Sequence, residues 1–196
     1  GDEAENVRDQ AIRALGKFGS ERALGTLLEA LVRISPYHSG APGTFSSDDR
    51  YWINQAPIRA LGSIGDERAL EPLIALLNSG YPSAAEELGS FGDERAVEPL
   101  IRALDEDDFQ FIRSSAIEAL GMIGDERAVN HIGTALYSGY RGVCRSANLA
   151  LGMIGSESAI RRLMIAALSE RNSSKEIAFN ALAQIGDQRI VDFLNR

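Results

Sequence analysis

One short segment returns along the chain, and this self-similarity constrains the fold more than any other feature. Its copies occupy residues 14–31, 60–77, 87–104, 119–136, 150–167 and 181–196, the last two in more divergent form. The second glycine of each copy marks the period, and these glycines are Gly19, Gly65, Gly92, Gly124, Gly155 and Gly186. The intervals are 46, 27, 32, 31 and 31 residues, so the unit has about 31 residues, with one insertion and one deletion.

Each unit predicts two helices joined by a tight turn. In the fourth copy, apolar residues recur at spacings of three and four over Ile112–Ile123 and again over Val129–Leu136. Gly124 lies between the two stripes, where we expect it to end the first helix with a positive φ. Asp125 follows as the expected cap of the next turn.

A two-helix unit cannot bury its apolar stripe alone, so the units must stack on one another. The sequence therefore predicts an all-α solenoid, a superhelix of about six two-helix repeats in a single domain. The expected repeats span about 1–33, 51–79, 80–106, 108–138, 140–170 and 173–196, with an insertion loop at 34–50.

The motif A-L-G-x-[IF]-G-D-E-R-A-[VL]-E-P-L-I is matched nearly letter for letter at Ala60–Ile74 and closely at Leu88–Ile101. It resembles the HEAT-like repeats named after phycobilisome lyases (PBS lyases). The resemblance implies an α-solenoid whose second helices line the concave face. It leaves the function open, because such repeats occur in bilin lyases, in hydroxylases and in many adaptor proteins. For a bilin lyase it would imply a scaffold that holds a bilin and a client protein.

No residue pattern in the chain predicts a catalytic, cofactor or metal site. The sequence has two histidines, His38 and His131, and one cysteine, which is too few for a His-rich or multi-Cys metal centre. Deoxyhypusine hydroxylase, an enzyme with HEAT-like repeats, holds two irons with His-Glu pairs, and this chain has no His-Glu dipeptide. We therefore expect no metal, no cofactor and no catalytic residues, and an enzyme, if there is one, of the bilin lyase type.

The charge and hydropathy of the chain argue against two classes of partner. Lys and Arg number 20 against 28 Asp and Glu, a net charge of −8 that disfavours nucleic acid and anionic membrane surfaces. No apolar run approaches the roughly 20 residues needed to span a bilayer. A single cysteine and no recognisable export signal lead us to expect a cytoplasmic protein.

Cys144 has two interpretations. Arg141 and Arg145 flank it near a helix start, and this positive charge would stabilise a reactive thiolate. The alternative, which we favour, is a buried or half-buried residue that packs as a small apolar side chain.

The repeat register also predicts a binding stripe on the second helices. Positions six, ten and thirteen residues after the turn glycine point away from the apolar stripe and differ between copies, whereas the core letters stay constant. The residues at these positions are acidic near the N-terminus and become basic and apolar towards the C-terminus, at Arg161, Ile165 and Leu168. We expect the partner-binding residues here to be Glu29, Glu71, Glu98, Arg102, Asn130, His131, Tyr137 and Arg161, with His131 as a concave-face residue rather than a base. Solvated positions that vary without function would give the same pattern.

The insertion offers a second set of contact residues. It is rich in Gly, Ser and Pro, as loops are, and it carries Tyr37 and Phe45, with Trp52 just after it. Such aromatic residues are typical of binding hot spots. The alternative is a loop that folds back over the junction with the shortened third repeat.

Two further expectations concern the turns and the end of the chain. We expect the repeated Glu-Arg pairs to be structural, and Arg113 to bond a turn carboxylate such as Asp125. At the other end, Ile190, Phe193 and Leu194 near an uncapped terminus favour end-to-end self-association.

The favoured hypothesis is a non-enzymatic scaffold that binds another protein on the concave face of the second helices, helped by the insertion. The alternative is a bilin (phycobiliprotein chromophore) lyase subunit or a phycobilisome-handling factor.

Overall fold

The computed structural model describes residues 55–106, 110–169, 175–186 and 190–191, together with 10, 11, 14, 25–27 and 29. The regular secondary structure of these residues is helical throughout, which confirms the predicted all-α solenoid. The predicted insertion loop at 34–50 lies outside them. The chain divides into two compact units, Gly1–Phe91 and Gly92–Arg196. The repeat boundaries given above, and their grouping into one domain, stay a prediction.

The first unit contains three fully described helices: α1 (Gln55–Ile64), α2 (Leu70–Asn78) and α3 (Pro82–Phe91). A short 3₁₀ turn, Glu67–Ala69, joins α1 to α2. Helix α3 packs against both α1 and α2. Pro82 opens α3, where its missing N–H costs no hydrogen bond.

The second unit continues the alternation of first and second helices. Its described helices are α4 (Val97–Glu106), α5 (Gln110–Ile123), α6 (Val129–Ala135), α7 (Arg141–Ile154), α8 (Glu157–Leu168) and α9 (Lys175–Ile185). The first helices α5 and α7 have 14 residues each, whereas α3 has 10. The deletion in the third repeat therefore shortens its first helix by about one turn.

Each described turn between a first and a second helix has a left-handed glycine and, in three copies, an Asp–Arg clamp. Gly124 has φ 78°, a conformation that glycine adopts without strain. The Asp125 side chain accepts from the backbone N–H of Arg127 at 2.8 Å and from its guanidinium at 2.7 Å. Among the described residues, the expected bond from Arg113 to Asp125 is not formed. Arg127, two residues away on the same turn, binds that carboxylate, and Nε of Arg113 is buried without a hydrogen-bond partner among these residues.

The same clamp recurs at Asp66–Arg68 and Asp93–Arg95. In each case the arginine hydrogen bonds hold the pKa of the aspartate below its ordinary value, to about 2 for Asp66. The structural interpretation of the repeated acidic–basic turn is confirmed for the arginines, although their main partner is the aspartate rather than the glutamate.

Neighbouring first helices of the second unit approach closely because glycine faces alanine. A Cβ on Gly121 of α5 would lie 2.7 Å from both Cα and Cβ of Ala150 on α7. One repeat later, a Cβ on Gly152 would lie 3.3 Å from the Cβ of Ala181 on α9. Behind these contacts, apolar residues such as Leu120 and Leu151 are fully buried.

Among the described helices, none is both long enough and apolar enough to cross a lipid bilayer.

The helix spacing predicts the effect of adding one methyl group. Gly121→Ala should lower the free energy of unfolding by about 2 kcal/mol, because the new Cβ must push α7 away. That loss outweighs the gain of up to about 1 kcal/mol that alanine brings to a helix interior. Urea denaturation followed by circular dichroism measures the difference.

Gly142→Ala on α7 is the matched control, because nothing lies within 4 Å of its added Cβ. This change should be neutral or slightly stabilising. Equal effects of the two substitutions would show that close helix approach does not determine the packing.

Candidate partner-binding surface

The second helices of the second unit, α4, α6 and α8, lie in that order side by side, with α6 in contact with both of the others. All three stripe positions of each repeat are exposed, as the repeat register predicts, although Tyr137 lies in the turn that follows α6. We call these nine side chains the second-helix surface: Glu98, Arg102, Asp105, Asn130, Thr134, Tyr137, Arg161, Ile165 and Leu168.

Two hydrogen bonds cross from helix to helix on this surface. His131 Nδ1 donates to Asp105 Oδ2 at 2.7 Å and thereby joins α6 to α4. Arg162 Nη2 donates to Asn130 Oδ1 at 2.7 Å and joins α8 to α6. Gly133 makes the second bond feasible, because a Cβ there would lie 2.7 Å from the Arg162 side chain. His131 is thus half-exposed and lies beside this surface, at the contact of two helices.

The two charged ends of the surface have partners of their own. Glu98 Oε1 lies 3.6 Å from the guanidinium of Arg127 in the next turn, and Arg161 lies 3.2 Å from Glu157 on the same helix. Both pairs are exposed, and such pairs contribute little to stability. They leave the charges available to a partner.

The surface changes character from α4 to α8. Two carboxylates and one guanidinium lie on α4, namely Glu98, Asp105 and Arg102. On the other side, Tyr137, Ile165 and Leu168 have 47%, 56% and 64% of their surface exposed. They are among the large apolar side chains that the described residues expose, others of which lie on first helices. With the exposed Arg161 on α8, the second unit presents its part of the predicted gradient from acidic to basic and apolar residues.

The remaining predicted site residues fall elsewhere. Glu71 is exposed on α2 of the first unit, and Glu29 is helical and exposed in the same unit. Tyr37, Phe45 and Trp52 lie outside the described residues, as do Phe193 and Leu194 of the expected self-association end. Ile190, the third residue of that end, is buried.

Sequence reasoning missed the role of Arg162. This residue lies seven positions after Gly155, where His131 lies after Gly124, so the repeat register contained a signal for it. The register cannot predict the bond from Arg162 to Asn130. These residues are 32 positions apart in sequence, and the bond depends on the distance between their two helices.

Cys144 is buried, and its Sγ donates to the carbonyl oxygen of Ser138 at 3.0 Å. The buried interpretation is therefore confirmed. Within the part of the chain that the structure describes, no three His, Cys, Asp or Glu side chains are close enough together to hold a metal ion.

One carboxyl group of the first unit is in an unusual environment. Glu87 on α3 occupies the repeat position that alanine holds at Ala119, Ala150 and Ala181, and its carboxyl group lies over Gly62 of α1. Burial there raises the pKa of Glu87 to about 7, although the positive charge of Arg59 opposes the shift. The folded chain therefore holds a proton on Glu87 at pH values where the unfolded chain has lost it.

This proton predicts a pH dependence of stability. Because the folded pKa lies above the ordinary value of 4.5, stability falls as the pH rises from about 5 to about 8. Glu87→Gln keeps the size of the side chain and removes the charge. At pH 8 it should raise the free energy of unfolding by about 1 kcal/mol, after allowance for partial exposure, and at pH 4 it should change little.

Urea denaturation of both proteins at the two pH values measures this effect. Glu71→Gln, at an exposed position on α2, is the control and should show no pH-dependent difference from the parent protein. A Glu87→Gln difference that is the same at pH 4 and pH 8 would contradict the assignment.

Comparisons with known proteins agree with this architecture, that of an α-solenoid built from repeated helical pairs. The family model of HEAT repeats matches residues 82–151, and that of the PBS lyase HEAT-like repeat matches residues 7–33 and 58–79. The chain belongs to the HEAT-like repeat proteins, with repeats of the PBS lyase type. No curated protein sequence matches it.

A solved structure supports the same fold. A chain from the complex of CpcE and CpcF of phycocyanin lyase from Nostoc sp. PCC7120 is similar with a TM-score of 0.60 and 22% identity. The match covers 96% of this chain and 74% of that one, and at this identity it shows the fold alone. Human deoxyhypusine hydroxylase in complex with glycerol gives a TM-score of 0.43 and 20% identity, over 100% and 92% of the two chains. That score is too low to argue from.

Proposed function

We propose that this protein is a non-enzymatic scaffold that binds a partner protein on the second-helix surface. The observation that carries the proposal is the contrast between two sets of repeat positions. Core positions hold the same kinds of residue from repeat to repeat and are buried, whereas the nine stripe positions differ between repeats and are all exposed. In this proposal the second helices form the concave face of the solenoid.

The chemistry of the surface suits a protein partner. Tyr137, Ile165 and Leu168 supply the apolar contact area from which binding energy mainly comes. The charged side chains of α4 lie on another part of the same surface. They would favour a partner of mixed charge. A small molecule would instead require a deep pocket that encloses most of its surface.

The cross-helix hydrogen bonds support the proposal in a second way. Asp105–His131 and Asn130–Arg162 fix long polar side chains before any partner arrives. Fixed side chains lose less conformational entropy on binding, so more of the interaction energy appears as affinity. We include a cytoplasmic location in the proposal, because a chain with a single cysteine suits a reducing compartment.

A bilin lyase subunit is the second candidate. Two repeats match the PBS lyase type, and the fold is similar to that of a chain in a phycocyanin lyase complex. Absorbance spectra of the protein mixed with a linear tetrapyrrole, with and without a client protein, test this candidate. A spectral shift and transfer of an adduct would support it, and unchanged spectra would remove it.

The scaffold proposal predicts the effect of one charge placed in the apolar part of the surface. Leu168→Asp should reduce capture of the partner from a lysate of the source organism at least tenfold, because it puts a desolvated carboxylate into the contact. Quantitative mass spectrometry of the captured proteins measures the loss. Leu168 is well exposed, so the variant should fold as the parent protein does.

Met153→Asp is the matched control, because Met153 is 58% exposed on the first helix α7 rather than on a second helix. It should leave capture unchanged. Equal capture by the parent protein and Leu168→Asp, or equal losses in both variants, would contradict the proposal.

A further inference from the structure

A groove of about 530 Å³ lies between the first helices α7 and α9, so it belongs to a different set of helices from the second-helix surface. It is open to solvent along one side. Its lining consists of two guanidinium groups, two amides and three apolar residues, namely Arg141, Arg145, Asn180, Gln184, Leu149, Ile177 and Ala181. None of these lining residues is acidic.

The repeat register shows that this groove is specialised. In the preceding groove, between α5 and α7, the positions of Arg141 and Arg145 are occupied by Gln110 and Ser114. Four residues further along the helix, α5 has Glu118, whereas α7 has Leu149. The α7–α9 groove has therefore gained two positive charges and lost one negative charge relative to its neighbour.

The neighbouring groove is also closed by a contact that the α7–α9 groove lacks. Glu118 Oε1 accepts a hydrogen bond from Ser146 Oγ at 2.6 Å, which joins α5 to α7. One repeat later, the same two positions hold Leu149 and Ile177, and both line the open groove. Two apolar side chains thus take the place of a polar bond between helices.

The two arginines lie where positive charge is unfavourable in the free protein. They are in the first two turns of α7, at the positive end of the helix dipole, and α7 has no acidic residue in its first turn. The side chain of Tyr140, which precedes the helix, makes no capping hydrogen bond. Neither Arg141 nor Arg145 makes an ion pair with a described residue, although the chain carries a net charge of −8. An anionic group in the groove would relieve this repulsion.

The shape of the groove decides between anions. A site for a small organic anion usually encloses most of its ligand, and this groove is open. A nucleic acid or an anionic membrane needs a broad basic surface, whereas the lining of this groove supplies two guanidinium groups. An extended peptide needs only an open groove, with guanidinium groups for its carboxylates and an apolar floor for one of its side chains.

We propose that the α7–α9 groove binds an acidic peptide segment of a partner protein, with Arg141 and Arg145 contacting its carboxylates and Leu149 and Ile177 contacting an apolar side chain. This site goes beyond the proposed function, because it uses the first helices rather than the second-helix surface. It can be present or absent independently of that function.

The test uses a short fluorescein-labelled peptide that is rich in glutamate and has a central leucine. Fluorescence anisotropy measures its affinity for the full chain, and NMR chemical shifts locate it. The peptide should bind, and the shifts should centre on Leu149, Asn180 and Gln184. A version with glutamine in place of every glutamate should bind at least about tenfold more weakly, and added salt should weaken the acidic peptide.

Two substitutions test the groove itself. Arg145→Gln should weaken the peptide about fivefold, whereas Arg59→Gln, at an exposed position on α1, should not. Leu149→Glu introduces the residue that the preceding repeat has at this position, so it is compatible with the helix, and it should weaken binding at least about tenfold. Met153→Glu adds the same charge to the same helix outside the groove lining and should have no such effect.

The following results would overturn the proposal. They are no binding by the parent protein, equal affinity for the glutamine peptide, unchanged affinity of Arg145→Gln and Leu149→Glu, or chemical shifts that centre on the second-helix surface. Full displacement of the peptide by an equal concentration of inorganic phosphate would show a simple anion site and would also overturn the peptide assignment. Loss of the second-helix function in Leu168→Asp with normal peptide binding would separate the two sites.

Discussion

The approach of Gly121 to Ala150 is the contact on which the second unit depends. A Cβ added to Gly121 would lie 2.7 Å from both Cα and Cβ of Ala150, so no larger residue fits at position 121 unless a helix moves. The two first helices must therefore keep small residues on their facing sides. Once that side is fixed, variation between repeats is confined to the outward positions of the first helices and to the stripe on the second helices.

Much of the fold could be predicted from the sequence because its determinants are local. The positive φ of Gly124 and the N-cap of Asp125 follow from what each residue does within its own turn. The exposure of the stripe positions follows from helical geometry and register alone. Whether Arg113 reaches Asp125 could not be predicted in this way, since that distance depends on tertiary packing, whereas Arg127 binds the carboxylate from within the same turn.

The dependence on tertiary distances also explains which features of the two surfaces could not be predicted from the sequence. Asp105–His131 and Asn130–Arg162 join residues 26 and 32 positions apart, and only stacked helices bring them within hydrogen-bond reach. The α7–α9 groove, which Arg141 and Arg145 line, likewise depends on the distance between two stacked helices. In physical terms, a repeat register predicts which way a side chain points, but not what the next repeat places opposite it.

We propose that packing and recognition use separate positions of each repeat. The most direct test transfers the stripe of one repeat to the next through Asn130→Glu, Thr134→Arg and Tyr137→Asp, which copies the residues of α4 onto α6. Urea denaturation should give a free energy of unfolding within about 1 kcal/mol of the parent protein, with the same cooperative transition and helical content. A loss of cooperativity, or a loss of several kcal/mol, would show that the stripe residues hold the repeats together and would contradict the account.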